Sequence, residues 1–315
     1  MAKAFIFPGQ GSQDVGMGKA LADNFTAARD VFTEIDDALG EKLSDIMWEG
    51  PKDTLTLTQN AQPALMAVSM AVMRVLETEH GFKLADHVKF VAGHSLGEYS
   101  ALAAAGTFGI ADAARLLRAR GKAMQDAVPV GEGAMAALLG VGMDVAQKVA
   151  DAAAQGDVCQ IANDNDPTQV VLSGAKTAID RVPAIGKEHG VRRAMPLPVS
   201  APFHCALMQP AADAMAKELA DVNMQAPVVP VVANVTASPI SEPAEIRTRL
   251  VEQVTGTVRW RECVLAMVDA GVDEFYEIGT GKVLSGLVGR INKESTSTPV
   301  GTPDDIAAAI AAMTA

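Results

Sequence analysis

The residue in this sequence best suited to attack an acyl carbon is a serine in a glycine-bounded turn. Ser95 stands in the pentapeptide GHSLG at 93–97, after the apolar run 88–92 and before the helix-forming stretch 98–105. A serine at a tight strand-to-helix turn, a nucleophile elbow, is held clear of its own backbone, and the unpaired N–H groups of the helix face a developing oxyanion. Gly-x-Ser-x-Gly also occurs in ordinary glycine-rich turns, so the prediction of a nucleophile depends on the strand before the motif and the helix after it.

A serine hydroxyl needs a base to take its proton, and five histidines are candidates. His94 adjoins Ser95, but at an elbow its side chain is expected to project away from the serine. His204 lies in the proline-rich segment 198–205 (PVSAPFHC), and loops on a rigid scaffold commonly carry catalytic groups. From the residues alone, a structural role and a role as the base are equally favoured for His204. The others adjoin charged or glycine-containing segments, where surface or capping roles are expected: His80, His87 and His189.

A second glycine-rich loop, residues 7–13 (FPGQGSQ), follows the first apolar run. It fails the dinucleotide fingerprint because Asp14 replaces the third glycine, and the sequence has no phosphate loop of the Gly-x-x-x-x-Gly-Lys type. We expect instead that the backbone N–H groups of Gln10 and Leu96 form an oxyanion hole, which takes one donor after the nucleophile and one from a neighbouring loop. The spacing leaves open whether the two loops meet.

The composition is that of an ordinary globular protein, with 315 residues, 49% hydrophobic and 20% charged. A net charge of -12 argues against a nucleic-acid partner, because phosphate binding needs concentrated lysine and arginine. No apolar run reaches the roughly 18 residues of a membrane span, and the first apolar run is too short for a signal peptide, so we expect a cytoplasmic protein without a membrane partner. Cys159, Cys205 and Cys263 are few and far apart, which favours reduced thiols over disulfides or a metal site.

The order of apolar runs predicts an α/β protein with two lobes. Short strand-like runs alternate with long alanine- and leucine-rich helical stretches, which is typical of a mostly parallel sheet. Between 133 and 198 the order becomes strand, helix, strand, strand, helix, strand, the ferredoxin-like unit. The strands predicted for the large lobe are 4–7, 88–92, 228–232 and 274–278, and its main helices are 61–79 and 110–127.

The small lobe is predicted to be an insertion into the large one. Proline and glycine clusters on either side of it mark the crossings. The predicted boundaries are 1–128 and 198–315 for the large lobe and 129–197 for the small lobe.

Two polar segments are predicted to lack regular structure. The stretch 163–167 (NDNDP) is predicted to be the turn between the two middle strands of the small lobe. The Ser/Thr/Pro-rich stretch 295–303 is predicted to be a linker to a final helix at 304–313.

Five motifs, in order along the sequence, resemble those of malonyl-CoA:acyl carrier protein transacylases. The similarity runs from residue 4 to about 291, nearly the whole length. It implies an α/β-hydrolase-like large lobe with a mostly parallel sheet and an inserted ferredoxin-like small lobe, which agrees with the two lobes predicted above. The motifs are GQGSQ at 9–13, GHSLGEY at 93–99, Arg120-Gly121 with Met124-Gln125, Pro202-Phe203-His204, and Gln253.

The resemblance implies the catalytic roles. Ser95 would be acylated, His204 would be its base, and the backbone carbonyl of Gln253, rather than a carboxylate, would orient the imidazole. Gln10 and Leu96 would supply the oxyanion-hole N–H groups.

The resemblance also implies substrate contacts. Arg120 would pair with the free carboxylate of a malonyl group, a task that suits a planar guanidinium; without the resemblance, a helix-surface arginine is the favoured interpretation. Phe203 stands where the family often has serine, and its bulk would disfavour a methyl branch, a discrimination of about 1–3 kcal/mol. Asn163 and Asn165 match positions that face the cleft in the family.

The implied reaction is a ping-pong transfer of malonyl from malonyl-CoA, through malonyl-Ser95, to the phosphopantetheine thiol of acyl carrier protein, by a monomer without a cofactor or metal. The residues leave open whether the carrier serves fatty-acid or polyketide synthesis. Docking of an acidic carrier would need a local basic surface, for which six residues are candidates: Lys187, Arg192, Arg193, Lys282, Arg290 and Lys293.

Two alternatives remain open from the sequence. An esterase or thioesterase shares the elbow and normally has an acid between the serine and the histidine, a position that Asp164 or Asp166 would fill. The other alternative is a catalytically silent lobe that binds carrier proteins.

Overall fold

Two sheets organise the protein, which the computed structural model describes at residues 2–199 and 201–314. The strands are β1 (Ala2–Phe7), β2 (Phe90–Gly93), β3 (Gly133–Leu139), β4 (Cys159–Asp166), β5 (Gln169–Ala175), β6 (Arg193–Pro196), β7 (Val231–Ala233), β8 (Ser238–Ile240), β9 (Val272–Ile278) and β10 (Thr296–Val300). The helices are α1 (Lys19–Asn24), α2 (Thr26–Leu39), α3 (Leu43–Glu49), α4 (Lys52–Thr56), α5 (Thr58–His80), α6 (Leu84–His87), α7 (Gly97–Ala104), α8 (Ile110–Asp126), α9 (Met143–Ala154), α10 (Lys176–Glu188), α11 (Gln209–Ala220), α12 (Pro243–Thr255), α13 (Trp260–Asp269), α14 (Val283–Ile291) and α15 (Pro303–Thr314).

The large lobe is built on a six-stranded sheet in the order β10-β9-β1-β2-β7-β8. Every neighbouring pair is parallel except β7 and β8, so the predicted mostly parallel sheet is confirmed. The four strands predicted for this lobe correspond to β1, β2, β7 and β9. In a parallel sheet the carboxyl ends of the strands share one edge, and there β1 leads into the second glycine-rich loop and β2 into the elbow.

The predicted linker at 295–303 is wrong, because residues Thr296–Val300 form strand β10. This strand pairs in parallel with β9 at the edge of the sheet. Pro299 is tolerated there because an edge strand has one side free of ladder hydrogen bonds. Threonine and valine favour the extended backbone, and Val300 is fully buried.

The small lobe is a four-stranded sheet in the order β4-β5-β3-β6, in which all neighbours are antiparallel. Helices α9 and α10 alternate with these strands as the ferredoxin-like unit requires, which confirms that prediction. The sheet spans residues 133–196; the lobe boundaries at 128/129 and 197/198 stay a prediction.

The predicted turn at 163–167 is also wrong, because β4 continues through Asp166 and leaves only Pro167 and Thr168 to turn the backbone. Large-lobe partners overcome the low strand propensity of this polar stretch. Asp164 binds Arg261 with a nearest N–O distance of 2.9 Å, and Asp166 binds Arg290 at 2.6 Å. The same strand exchanges backbone hydrogen bonds with Val258, so the small lobe is tied to the large one through β4.

The elbow between β2 and α7 requires glycine on both sides because the backbones approach closely. A Cβ atom on Gly93 would lie 1.9 Å from both the carbonyl carbon and the carbonyl oxygen of Gly97. A Cβ atom on Gly97 would lie 2.2 Å from the carbonyl oxygen of Phe7, at the end of β1. Gly93 therefore permits the tight turn of the elbow, and Gly97 permits the elbow to lie against the first strand.

We predict that Gly93→Ala lowers the free energy of unfolding by about 3 kcal/mol or more, because the added methyl group meets backbone atoms that cannot yield. Gly289→Ala is the matched control, since Gly289 lies in α14 with no heavy atom within 4 Å of the added Cβ. There alanine should stabilise the helix by about 1 kcal/mol. Urea unfolding measures both variants, and equal losses would contradict the steric argument.

Candidate active site

Ser95 and His204 lie together although they are far apart in the sequence. The Oγ atom of Ser95 is 2.7 Å from Nε2 of His204. Both residues have left-handed backbones, with φ of 53° and 58°. Such backbones are uncommon for residues other than glycine and persist only where the surroundings fix them, which is a feature of functional sites.

The imidazole of His204 is held in the tautomer that a base requires. Its Nδ1 lies 2.8 Å from the backbone oxygen of Gln253. A carbonyl oxygen only accepts, so Nδ1 carries the proton and donates, and Nε2 keeps a lone pair toward the hydroxyl of Ser95. Gln253 therefore lies where the resemblance to the transacylases places it.

The carboxylates considered for an esterase, Asp164 and Asp166, do not support His204. Their oxygens bind Arg261 and Arg290 in the contact between the lobes. The site has a Ser-His pair oriented by a backbone carbonyl, and the esterase interpretation loses its third catalytic residue.

His204 is neutral in this environment. It is 4% exposed, and burial together with the charge of Arg120 lowers its pKa to about 3. Burial disfavours the charged imidazolium, and the hydrogen bond to Gln253 opposes this only partly.

Arg120 is buried at the centre of the site, with 1% of its surface exposed. Its Nη2 donates to Oγ of Ser95 at 3.1 Å and to Oε1 of Gln253 at 2.8 Å. Its Nη1 donates to Oε1 of Gln62 at 2.8 Å. The Nε–H group has no acceptor within residues 2–199 and 201–314. The surface position favoured by residue pattern alone is therefore wrong, and a buried cation with an unused donor is suited to a carboxylate ligand.

The two glycine-rich loops meet, which their spacing left open. The N–H of His94 donates to the carbonyl oxygen of Phe7 at 3.1 Å. Gln10 and Leu96 line the same cavity as Ser95. Neither of their N–H groups donates to another residue in the described ranges. Two unused donors beside a nucleophile are the arrangement expected of an oxyanion hole.

The cavity in front of Ser95 has a volume of about 420 Å³ and receives walls from both lobes. Phe203, Met124 and Met135 contribute apolar surface, and Asn163 contributes a polar group. Asn165 binds the ring of His94 instead, with its Oδ1 2.9 Å from Nε2 of the histidine. The two asparagines thus occupy different positions around the site.

Asn234 supports the elbow directly, and sequence reasoning missed it. Its Oδ1 accepts a hydrogen bond from the backbone N–H of Ser95 at 2.8 Å, and its Nδ2 donates to the oxygen of Gly93 at 2.7 Å. Asn234 directly follows β7, the sheet neighbour of β2. The sequence does show a polar residue shortly after a predicted strand. Its role could be predicted only with the strand order, which places this strand beside β2.

Other classes of site find no support in the described residues. These residues contain no group of three or more histidine, cysteine, aspartate or glutamate side chains arranged to hold a metal. All three cysteines are buried thiols without a disulfide. No helix in the described ranges combines the length and apolarity needed to cross a membrane.

Comparisons with known proteins agree with this geometry. Residues 4–302 match the family model of the acyl transferase domain. Malonyl CoA-acyl carrier protein transacylases of Bacillus subtilis (strain 168) and Escherichia coli (strain K12) are 45% and 46% identical to this protein. Each alignment covers 98% of the present sequence, and they cover 96% and 98% of the relatives.

Solved structures show the same similarity. A crystal structure of acyl-carrier-protein-S-malonyltransferase from Bartonella henselae is 56% identical, with a TM-score of 0.98 over 100% of both proteins. A structure of a type II PKS acyl-carrier protein in complex with its malonyl-transacylase includes a protein that is 41% identical, with a TM-score of 0.95 over 99% of the present sequence and 100% of that one. The protein therefore belongs to the acyl transferase domain family and, within it, to the malonyl CoA-acyl carrier protein transacylases.

Proposed function

We propose that this protein transfers a malonyl group from malonyl-CoA to the phosphopantetheine thiol of acyl carrier protein, as a step of fatty-acid biosynthesis. The observation that carries the proposal is the hydroxyl of Ser95, which lies within hydrogen-bond distance of both a neutral imidazole and a buried guanidinium. The imidazole fits acyl transfer through a serine ester, and the guanidinium fits an acyl group with a free carboxylate.

In the first half-reaction His204 accepts the proton of Ser95 while Oγ attacks the thioester carbon. The N–H groups of Gln10 and Leu96 stabilise the oxyanion. As the tetrahedral intermediate collapses, the carbon–sulfur bond breaks and His204 returns the proton to the departing thiolate. The products are malonyl-Ser95 and CoA.

In the second half-reaction the thiol of the carrier attacks the serine ester, and the same groups act in reverse. His204 removes the thiol proton and delivers it to Oγ of Ser95. The cycle starts from one thioester and ends with another, with no net oxidation or reduction. The proposed cycle therefore needs no resident cofactor, metal or oxidant.

Arg120 selects and holds the acyl group in this proposal. The carboxylate of malonyl would bind the guanidinium, including its unused Nε–H group. Burial is the main cause of the lowered pKa of His204, and the charge of Arg120 adds to it. The negative charge of the substrate would offset the contribution of Arg120, so the imidazole would become a stronger base when the substrate binds. Fixing the acyl group also keeps its carbonyl in position for a thiol rather than for water.

Phe203 and the two asparagines define the remaining contacts. Phe203 precedes the base and is 8% exposed, so its ring restricts space near the α-carbon of the acyl group. The resulting discrimination against a methyl branch is about 1–3 kcal/mol. Asn163 contacts the thioester substrate in the cavity, and Asn165 acts through His94.

The carrier docks on a local basic surface, since both proteins are acidic overall. Arg192, Arg193 and Arg290 border one surface groove between the lobes. All three side chains reach solvent, although Arg290 also binds Asp166. We propose that the enzyme works as a cytoplasmic monomer on this carrier.

Incubation with malonyl-CoA should leave a malonyl group on the peptide that contains Ser95, detected by mass spectrometry after rapid acid quenching. The ester should accumulate because the contact of its carboxylate with Arg120 holds the acyl carbonyl in position for a thiol rather than for water. Ser95→Ala should carry no adduct. An adduct on another residue, or prompt release of free malonate, would contradict transfer through Ser95.

Arg120→Ala should lower kcat/KM for malonyl-CoA by about a hundredfold or more, because a charge-assisted bidentate contact is lost. Acetyl-CoA has no carboxylate to bind, so its kcat/KM should fall much less. Arg115→Ala is the matched control, since Arg115 lies on the same helix with its side chain 58% exposed. Equal losses with both thioesters would contradict the carboxylate contact.

The acid limb of kcat/KM for malonyl-CoA should be nearly flat between pH 6.5 and pH 5. The free enzyme determines this parameter, and in it the pKa of His204 is about 3, so the base stays neutral as the pH falls. We expect a loss of less than about threefold, whereas a base with the ordinary pKa near 6.5 would lose about fifteenfold. Stopped-flow measurement of acyl-enzyme formation tests this, and an apparent pKa near 6.5 would overturn it.

A further inference from the structure

Glu98 is a buried carboxyl group beside the site that the reaction above does not use. It lies in the first turn of α7 and is 1% exposed. Burial raises the pKa of Glu98 to about 7, and its hydrogen bonds oppose this shift. Burying a carboxyl group costs free energy unless its contacts compensate. Its contacts therefore indicate what it does.

One oxygen of Glu98 holds two groups of the site together. Oε2 accepts a hydrogen bond from Nε2 of Gln253 at 2.8 Å and from the backbone N–H of Asn234 at 3.0 Å. Asn234 in turn holds Ser95 and Gly93 through its side chain. Glu98 thus links the support of the elbow to the side chain of Gln253.

The amide of Gln253 has only one orientation that satisfies its neighbours. Its Nε2 donates to Glu98 and to the carbonyl oxygen of Ser95, at 2.8 and 3.0 Å. Its Oε1 accepts from Nη2 of Arg120 at 2.8 Å. Rotation of the amide by 180° would place donor against donor at Arg120 and acceptor against acceptor at Glu98.

We propose that Glu98 is a positioning residue that fixes the side-chain amide of Gln253 and thereby holds the guanidinium of Arg120 in place for the carboxylate of the acyl group. The inference rests on the malonyl transfer proposed above. Gln253 then has two separate functions, because its backbone carbonyl orients His204 and its side chain orients Arg120. Of these two functions, Glu98 contacts the group that performs the second. Its other contact is to the backbone N–H of Asn234 and not to the side chain that holds Ser95. Glu98 should therefore affect acyl selectivity more than the Ser-His chemistry.

Two substitutions test the length of the Glu98 side chain (its reach) and its carboxyl group separately. Glu98→Asp keeps the carboxyl group but withdraws it by one methylene, out of hydrogen-bond distance of Gln253. It should lower kcat/KM for malonyl-CoA by about tenfold to a hundredfold, mainly through KM, and that for acetyl-CoA by less than about threefold. Glu98→Gln keeps an acceptor at the same reach, so the ratio of malonyl to acetyl kcat/KM should stay within about threefold of the wild type.

Glu277→Asp is the matched control. Glu277 is also fully buried and also accepts backbone hydrogen bonds, from Leu284 and Ser285, but it lies outside the cavity. This variant should lower the melting temperature and leave the ratio of malonyl to acetyl kcat/KM unchanged. A change in that ratio in Glu277→Asp would overturn the proposal, because a general loss of stability would then explain Glu98→Asp.

Gln253→Met tests the same contact from the other side and serves where Glu98→Asp fails to fold. It keeps the backbone carbonyl for His204 and removes the amide, so it should lower the ratio of malonyl to acetyl kcat/KM as Glu98→Asp does. In this background Glu98→Asp should lower the ratio of malonyl to acetyl kcat/KM no further. Independent effects of the two substitutions would overturn the proposal.

The remaining outcomes distinguish a failure of the role of Glu98 from a failure of the proposed malonyl transfer. A wild-type enzyme that forms no malonyl-Ser95 would overturn both. A wild-type enzyme that loads malonyl, with Glu98→Asp lowering malonyl and acetyl transfer by equal factors, would overturn the role of Glu98 alone. Glu98→Gln as defective as Glu98→Asp would do the same, because the contact would then depend on charge rather than on reach.

Discussion

The burial of one positive charge beside the nucleophile is the constraint on which the site depends. Arg120 has lost nearly all contact with water, and neutral amides and a hydroxyl replace the solvent around it: Gln62, Gln253 and Ser95. Neutral acceptors satisfy the Nη1 and Nη2 donors without cancelling the charge, and the Nε–H group has no acceptor in the described residues. The guanidinium is therefore suited to bind an anion, and its charge adds to burial in lowering the pKa of His204. In the proposed reaction, the selection of the acyl group and the basicity of His204 therefore depend on the same charge.

Such a site requires rigid surroundings, which the fold supplies from both lobes. Gly97 permits the elbow to lie against β1, and Asn234, at the end of the neighbouring strand, holds the backbone of the elbow. The small lobe forms one wall of the cavity and is attached through the carboxylates of β4 to arginines of α13 and α14. The contacts of the elbow explain how Ser95 keeps a left-handed backbone.

Local patterns predicted much of the fold, and they failed where contacts between distant segments override propensity. The alternation of apolar runs identified both lobes, because each strand and helix must bury one face whatever its neighbours. The polar end of β4 and the Ser/Thr/Pro-rich β10 looked irregular, because their partners lie 22 to 124 residues away. The site followed the same rule: the elbow at Ser95 was recognisable from its own residues, whereas Asn234 and the buried position of Arg120 were not.

The sequence by itself determined the chemistry available to this protein: a serine at a strand-to-helix turn, a histidine in a proline-rich loop, and an order of motifs shared with one family. These are properties of residue types and short spacings. Only the tertiary structure decided which groups act on one another. It brings His204 to Ser95 across 109 positions and buries Arg120 between two glutamine amides. It also places the carboxyl group of Glu98 behind Gln253. Charge burial and hydrogen-bond direction are set by the packing of distant segments, which no local pattern contains.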